Sequence, residues 1–237
     1  SAEINLGVVP VENSIEGVVR DSVTSLISRS VCVLKEVEFP IEHCVLSKES
    51  HIDDVRIIRA HPQALAQCKV WIETHAPFAM LIPESSNSVA ALSLSAHEAV
   101  IGSRELVELY GLNCIAEHIS DIEKNSTLFY VITKNTNNVY RRETLADDVD
   151  RVVISQKQAV SLFFIQAEDK PGVLKNILSL FADAGLNVRK IHSLPTGEIG
   201  SYYFLLDVVT TGYGQQIQDI YSQLESMCKV VKVLGVL

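Results

Sequence analysis

No stretch of this 237-residue chain approaches the roughly 20 apolar residues a membrane-spanning helix needs. No signal peptide is visible, but Ser1-Ala2 reads straight into a strand, so the true N-terminus is expected to be missing. Basic residues are few: 20 Lys and Arg against 29 Asp and Glu leave a net charge of −9, and they form no stripe. Nucleic acid and anionic membrane surfaces are therefore poor partners. The five cysteines (Cys32, Cys44, Cys68, Cys114, Cys228) are odd in number, scattered, and include no CxxC. Reduced cytosolic thiols are a simpler reading than a disulfide framework or structural zinc. The seven histidines lack metal-ligand spacing, so no metal is expected. G-x-x-x-x-G-K-[ST] and G-x-G-x-x-G are absent, which excludes the common phosphate-binding loops and points to no cofactor; without G-x-S-x-G a hydrolase elbow is unsupported.

What remains is a chain that is 47% hydrophobic and 21% charged, enough apolar material to bury the core of one large domain or two ordinary ones. Residues 4–12 read as a buried strand ending near Pro10. The spacing predicts a helix from about Ser14, with Asn13 as N-cap, Glu16 completing a capping box, and Val19, Val23, Leu26 and Ile27 on one face. Strand-like runs follow at 31–39, 55–60 and 79–82. Between the last two, Ala64, Leu65, Cys68, Trp71 and Ile72 predict one helix from Pro62 to about His75. Further helices are expected from Ser86–Ser88 through Leu94 and over Ser103–Tyr110, the latter stopped by Gly111. The alternation implies an α/β fold with a largely parallel sheet.

Composition changes near Asn135. The polar segment that follows reads as a linker, and its acidic residues Asp147, Asp148 and Asp150 as a solvated loop. From Val160 a new pattern begins: strand VSLFFIQA, helix Lys170–Ala184, strand NVRKIHSL, a turn at Gly197 and Gly200, strand SYYFLLDVV, helix Gln215–Cys228 with Ile217, Ile220, Tyr221, Leu224 and Met227 inward, and strand KVVKVLGVL. The order βαββαβ is ferredoxin-like.

Three places put polar groups where a helix is expected to start: Glu12-Asn13-Ser14, His61-Pro62-Gln63 and Ser86-Asn87-Ser88. Free N–H groups there favour anions, so their convergence would bind a small polyanion; singly, each is only a cap. His61 either caps its helix or donates to a carboxylate. Thr127, in the strand-like run NSTLFYVI, can donate a hydrogen bond or pass a proton to a departing oxygen, or can simply pack. Chemistry alone stops at a binder of a small anionic metabolite.

The residues carry the reading further. GVVPVENSIEG (Gly7–Gly17), FPIEHCVL (Phe39–Leu46), HPQALAQCKVW (His61–Trp71), SNSVAA (Ser86–Ala91) and NSTLF (Asn125–Phe129) resemble signatures of the prephenate dehydratase family, whose last motif reads N-x-T-R-F. DKPGVL (Asp169–Leu174) and HSLP (His192–Pro195) resemble the DKPGAL and ESRP segments of the ACT domain those enzymes carry. The resemblance implies a two-lobed, periplasmic-binding-protein-like catalytic domain over residues 1–135, a linker over 136–159 and a regulatory ACT domain over 160–237. It implies conversion of prephenate to phenylpyruvate, CO2 and water without a cofactor. Thr127 would act at the leaving hydroxyl, with Asn13, Ser14, Gln63, Ser86 and Asn125 as hydrogen-bonding neighbours. Glu12 and His61 would orient them, and Phe129 would pack the pocket. L-phenylalanine would bind as feedback inhibitor near Gly172, Val173, Leu174 and the strand Asn187–Pro195, including His192, Ser193 and Leu194, in a homodimer or homotetramer paired through ACT domains.

Three departures stand out. Leu128 replaces the arginine of T-R-F. His192 and Leu194 replace the glutamate and arginine of ESRP. Nothing like the family's early G-x-x-G-T-F-S segment precedes Ser1, so the chain is expected to be N-terminally incomplete and inactive without that segment. Leu128 leaves three options: the family arginine points away, another donor substitutes, or the chemistry has drifted. The last would give a decarboxylase that retains the hydroxyl; a different class again would be a phenylalanine sensor without turnover.

Overall fold

A valine-rich run opens the described chain as β1 (Leu6–Asn13), which turns into the short β2 (Gly17–Val18). Helix α1 (Arg20–Ser28) buries Val23, Leu26 and Ile27, and β3 (Val31–Pro40) follows. Next come β4 (Cys44–Ser47), a 3-10 turn at Ile52–Asp54, β5 (Ile57–Ala60), α2 (Pro62–Gln67) and α3 (Lys69–His75). Then β6 (Met80–Pro83), α4 (Asn87–Leu92), β7 (Glu98–Gly102), α5 (Glu105–Tyr110) and β8 (Asn113–Ala116) lead to β9 (Ser126–Lys134). The last part holds β10 (Val160–Ala167), α6 (Val173–Asp183), β11 (Asn187–Pro195), β12 (Tyr202–Val209), α7 (Gly214–Met227) and β13 (Val230–Val236). The computed structural model describes residues 6–134, 160–210 and 214–237. Ile4 and Asn5 of the first expected strand, the linker 136–159 with its three aspartates, and the side chain of Ile217 lie outside the described residues.

The chain divides into two units, Ser1–Glu38 with Leu128–Leu237, and Phe39–Thr127. The second is built on a five-stranded sheet of order β6-β5-β7-β4-β8. Strand β5 runs parallel to β6 and β7, while β4 is antiparallel to β7 and β8, so the sheet is mixed where a largely parallel one was expected. Alternation along β4 and β7 sends Val45, Ala99 and Ile101 to one face, packed with Ala64, Cys68 and Ile72 of the α2–α3 region. Cys44, Leu46 and Val100 go to the other face, packed with Ala90, Ala91 and Leu106 of α4 and α5. A sheet covered on both faces has strands that are apolar throughout. For this reason β4 and β7 carried no alternating signal and were not read in the sequence.

The first unit contains two four-stranded sheets, β2-β1-β9-β3 and β11-β12-β10-β13. The second of these is antiparallel and closes the expected ferredoxin-like βαββαβ module. One face packs Phe163, Ile165, Leu206 and Val208 against Ile177 and Phe181 of α6 and Ile220 and Leu224 of α7. Its other face, with Leu162, Phe164, Leu194, Leu205 and Leu234, shares a core with Val11, Val33 and Tyr130 of the first sheet and Val23, Leu26 and Ile27 of α1. Contact is close: a methyl group at Gly235 on β13 would overlap the Val33 carbonyl of β3.

Two helices differ from expectation. No helix starts at Ser14; Ser14–Glu16 is a turn, and α1 begins at Arg20. The single helix expected from Pro62 to His75 is broken at Cys68 (φ −119°, ψ 19°). There the Asp121 carboxylate accepts from the Val70 and Trp71 N–H groups at 3.1 and 3.4 Å and caps a second helix.

Substitutions at two positions test the shared core. Gly235→Ala sets a methyl against backbone, which no rotamer can relieve, and should cost about 1–3 kcal/mol. Leu128, partly buried against the same core, should accept Met within about 1 kcal/mol, whereas Leu128→Arg should cost about 1–3 kcal/mol by placing a cation against apolar side chains. Thermal melting reads both, at about 2–4 °C per kcal/mol; unchanged melting of Gly235→Ala and Leu128→Arg would show that the two sheets do not depend on this contact.

Candidate active site

In the first unit Glu12, Asn13 and Ser14 lie where β1 becomes a hairpin with β2, in the register Glu12↔Val18 and Asn13↔Gly17. Asn13 is buried, and its Oδ1 accepts from the N–H groups of Ile15 and Glu16 at 3.0 and 3.1 Å. The side chain does cap, as its spacing to Glu16 suggested, but it caps a three-residue turn closed by Gly17 at φ +79°. This corrects the expectation of a helix N-terminus and removes one of the three anion-favouring ends. Glu12 is half-buried on β1. Its Oε2 accepts from Lys190 Nζ at 2.5 Å, and His192 Nε2 lies 3.5 Å away. Burial pushes the Glu12 carboxyl up, but the Lys190 hydrogen bond and charge, with His192, outweigh it and hold the group below its ordinary value.

In the second unit, β5 delivers His61 to the start of α2. His61 Nδ1 accepts from the Gln63 N–H at 3.3 Å, the capping role, which leaves Nε2 to carry the ring proton. The His61 N–H donates to Asn87 Oδ1 at 2.7 Å, tying the start of α2 to the start of α4. Ser86 caps α4 by accepting from the Val89 N–H at 3.1 Å. The His61 and Ser86 segments are thus brought together, while both helices are only six residues long. An anion there would meet individual N–H groups and side chains rather than a long helix dipole. Beside them a cavity of about 320 Å³ is lined by Ile41, His43, Asn87, Ser88 and Ser103 among others.

Asn125 and Thr127 are both buried. Asn125 Nδ2 donates to Gln67 Oε1 at 3.2 Å, and the same oxygen accepts from His43 Nε2 at 3.0 Å. The Asn125 carbonyl accepts from the Ile41 N–H at 2.9 Å. This chain fixes the amide two residues ahead of Thr127. His43 and Gln67 were missed as site candidates. Their signal was visible inside FPIEHCVL and HPQALAQCKVW, as a polar residue held among apolar ones. Buried His43 Nδ1 and Gln67 Nε2 have no hydrogen-bond partner among the described residues, and each could serve a ligand or water.

Strand alternation separates Thr127 and Phe129 from Leu128. Leu128, Tyr130 and Ile132 share the face that packs into the first unit's core, and Phe129, half-buried, lies on the opposite side with Thr127. A side chain at position 128 therefore points away from the threonine. Among the residues expected to bind an effector, Gly172 precedes α6 at φ +83°, and Val173 and Leu174 form its first turn. Asn187, Ser193 and Pro195 are exposed on β11, whereas Leu194 is buried in the shared core and His192 is turned toward Glu12.

Burial pushes the Cys44 and Cys68 thiols up to about 11 and about 12, so neither is a thiolate nucleophile near neutral pH. Among the described residues no three His, Cys, Asp or Glu side chains gather closely enough to hold a metal ion.

Comparison with known proteins agrees with this residue pattern. The prephenate dehydratase family model matches residues 1–137 and the ACT domain model residues 160–225. A prephenate dehydratase of Methanocaldococcus jannaschii is 31% identical, over 97% of this chain and 80% of its own. A bifunctional chorismate mutase/prephenate dehydratase of Stutzerimonas stutzeri is 30% identical over 98% of this chain, which spans 60% of that longer protein. The crystal structure of a prephenate dehydratase from Arthrobacter aurescens in complex with L-Phe superposes with a TM-score of 0.78 at 28% identity, covering 98% of this chain and 74% of that one. With a family model spanning residues 1–137 and relatives alike along nearly the whole length, the chain belongs to the prephenate dehydratase family and combines its catalytic region with an ACT domain.

Proposed function

We propose that this protein converts prephenate to phenylpyruvate in L-phenylalanine biosynthesis, under feedback inhibition by L-phenylalanine. Residues 1–135 would be the catalytic domain, 136–159 a linker and 160–237 the regulatory domain. The observation that carries the reading is the state of the N-x-T motif: a buried threonine on a regular strand, preceded by an asparagine held through Gln67 and His43. Rigid placement of a weak acid is what this reaction needs. The ring carboxylate leaves as CO2, and the electrons of that C–C bond enter the ring. The C–O bond to the ring hydroxyl breaks, and the departing oxygen takes a proton to become water. Aromatisation supplies the driving force, so the protein contributes geometry and a hydrogen bond to the leaving oxygen.

In this reading Thr127 donates to the departing hydroxyl. Asn125 and Asn13 are held in fixed orientations by their own hydrogen bonds. Gln63, Ser86 and Ser14 offer donors to carboxylates, His61 and Glu12 orient their neighbours, and Phe129 contacts the ring. Leu128 does not argue for altered chemistry, because its side of β9 belongs to the core. The effector would bind through Gly172, Val173 and Leu174 and the strand with Asn187, His192, Ser193, Leu194 and Pro195, in a homodimer or homotetramer paired through ACT domains. A biosynthetic role on a small soluble metabolite supports a cytoplasmic location.

Full-length protein given prephenate should form phenylpyruvate, less so with L-phenylalanine present. Thr127→Ala should lower kcat by about 10²–10³-fold, the loss expected for one donor at a developing oxyanion, with melting unchanged. Product formation unaffected by Thr127→Ala would remove the assigned role. A product keeping the ring hydroxyl would mark a decarboxylase instead, and L-phenylalanine binding without turnover a sensor.

A further inference from the structure

Strand β11 carries the segment that resembles the effector motif, and one side of it faces β1 and β3. A bulge at Arg189 shifts its register with β12 from Val188↔Val208 to Lys190↔Asp207. In a regular strand consecutive side chains point to opposite faces. The extra residue re-aims the chain, and Arg189 and Lys190 both reach carboxylates of the neighbouring sheet. Arg189 Nη2 donates to both oxygens of Glu36 on β3, at 3.0 and 2.8 Å, and lies 3.5 Å from Asp207 Oδ2. Lys190 Nζ donates to Glu12 Oε2 at 2.5 Å. His192, two residues along the same face, brings Nε2 to 3.5 Å from that oxygen. Leu194, two further, anchors this face in the shared apolar core.

Glu12 is therefore gripped from the regulatory module, and it is the residue directly before Asn13, whose amide builds the hairpin turn. We propose that Lys190 is a positioning residue for the catalytic motif: it fixes the Glu12 carboxylate and with it the Glu12-Asn13-Ser14 hairpin, and an effector that displaces β11 changes turnover through this contact. The inference rests on the dehydratase reading and adds to it the route by which the regulatory strand reaches the site. The route is short, because Glu12 and Asn13 are consecutive on one strand and cannot move independently.

The test compares Lys190→Met, Lys190→Arg, Glu12→Gln and the double variant Glu12→Gln/Lys190→Met. Lys190→Met should lower kcat about tenfold with KM changed less than about twofold, and Lys190→Arg should recover most of the loss, as expected for contacting groups. The double variant should be no slower than Glu12→Gln alone. Calorimetric binding of L-phenylalanine should persist in Lys190→Met while its inhibition weakens. Losses that multiply in the double variant, or a Lys190→Met protein with wild-type kcat and inhibition, would overturn the proposal. If full-length wild type does not turn over prephenate, the dehydratase reading itself fails, and hydrogen exchange then reads the link. L-phenylalanine should change protection of the β1 amides in wild type and not in Lys190→Met; unchanged protection in both overturns it.

Discussion

One apolar core, shared by two sheets, decides the shape of the first unit. Each sheet carries a row of large side chains on the face turned to the other: Leu162, Phe164, Leu194, Leu205 and Leu234 on the regulatory sheet, Val11, Val33 and Tyr130 on the catalytic one. A fully buried side chain of this size is stabilised by roughly 1.5–3 kcal/mol relative to exposure, so a handful rivals the net stability of a whole domain. That core also sets the terms for the charges around it. Asp207 is fully buried, and burial raises its pKa against the pull of Lys190 and Arg189. Arg189 and Lys190 divide their attention between that carboxylate and those of Glu36 and Glu12. Apolar burial brings the sheets together, and the ion pairs, costly if left unpaired, fix which residues meet.

Legibility in the sequence followed the range of the interactions. The regulatory module was readable almost element by element, because its strands and helices are defined by local periodicity and by Gly185, Gly197 and Gly200 between them. The catalytic region was less so. Asn13 and Glu16 have the spacing of a capping box, but an asparagine followed by a three-residue turn has the same spacing, and only Gly17 distinguishes them. The helix from Pro62 onward keeps its apolar rhythm through Cys68 without interruption. The break comes from Asp121, some fifty residues away in sequence, whose carboxylate caps a new start. Strands β4 and β7, covered on both faces, had no alternation to read.

The candidate residues show the same division. His61 and Ser86 were readable as caps, and both cap. Their link through Asn87 was not readable, since a backbone N–H carries no identity in a sequence. The His43–Gln67–Asn125 chain was equally hidden, because it joins three motifs whose order along the chain says nothing about distance. What the sequence did mark was where to look. His43 and Asn125 are buried polar residues within those motifs, and a buried polar group requires a partner.

The two lost arginines then become one change rather than two. Leu128 and Leu194 stand where the family signatures carry arginine, and both enter the same apolar core. An isolated guanidinium at the Leu194 position, which is 4% exposed, would need a carboxylate that the surrounding leucines and phenylalanine do not offer. Both leucines add to a hydrophobic contact between the two sheets. The remaining charges gather at Glu12, Glu36, Arg189, Lys190 and Asp207. Strand geometry keeps the leucine at 128 from touching the chemistry. Residues 127 and 128 face opposite sides of β9, so what packs at 128 is chosen by the core, and what donates at 127 is chosen by the reaction. The conspicuous departure in the N-x-T motif is thus a statement about how the two sheets adhere, and it leaves in place the buried threonine beside it and the asparagine, glutamine and histidine joined behind it.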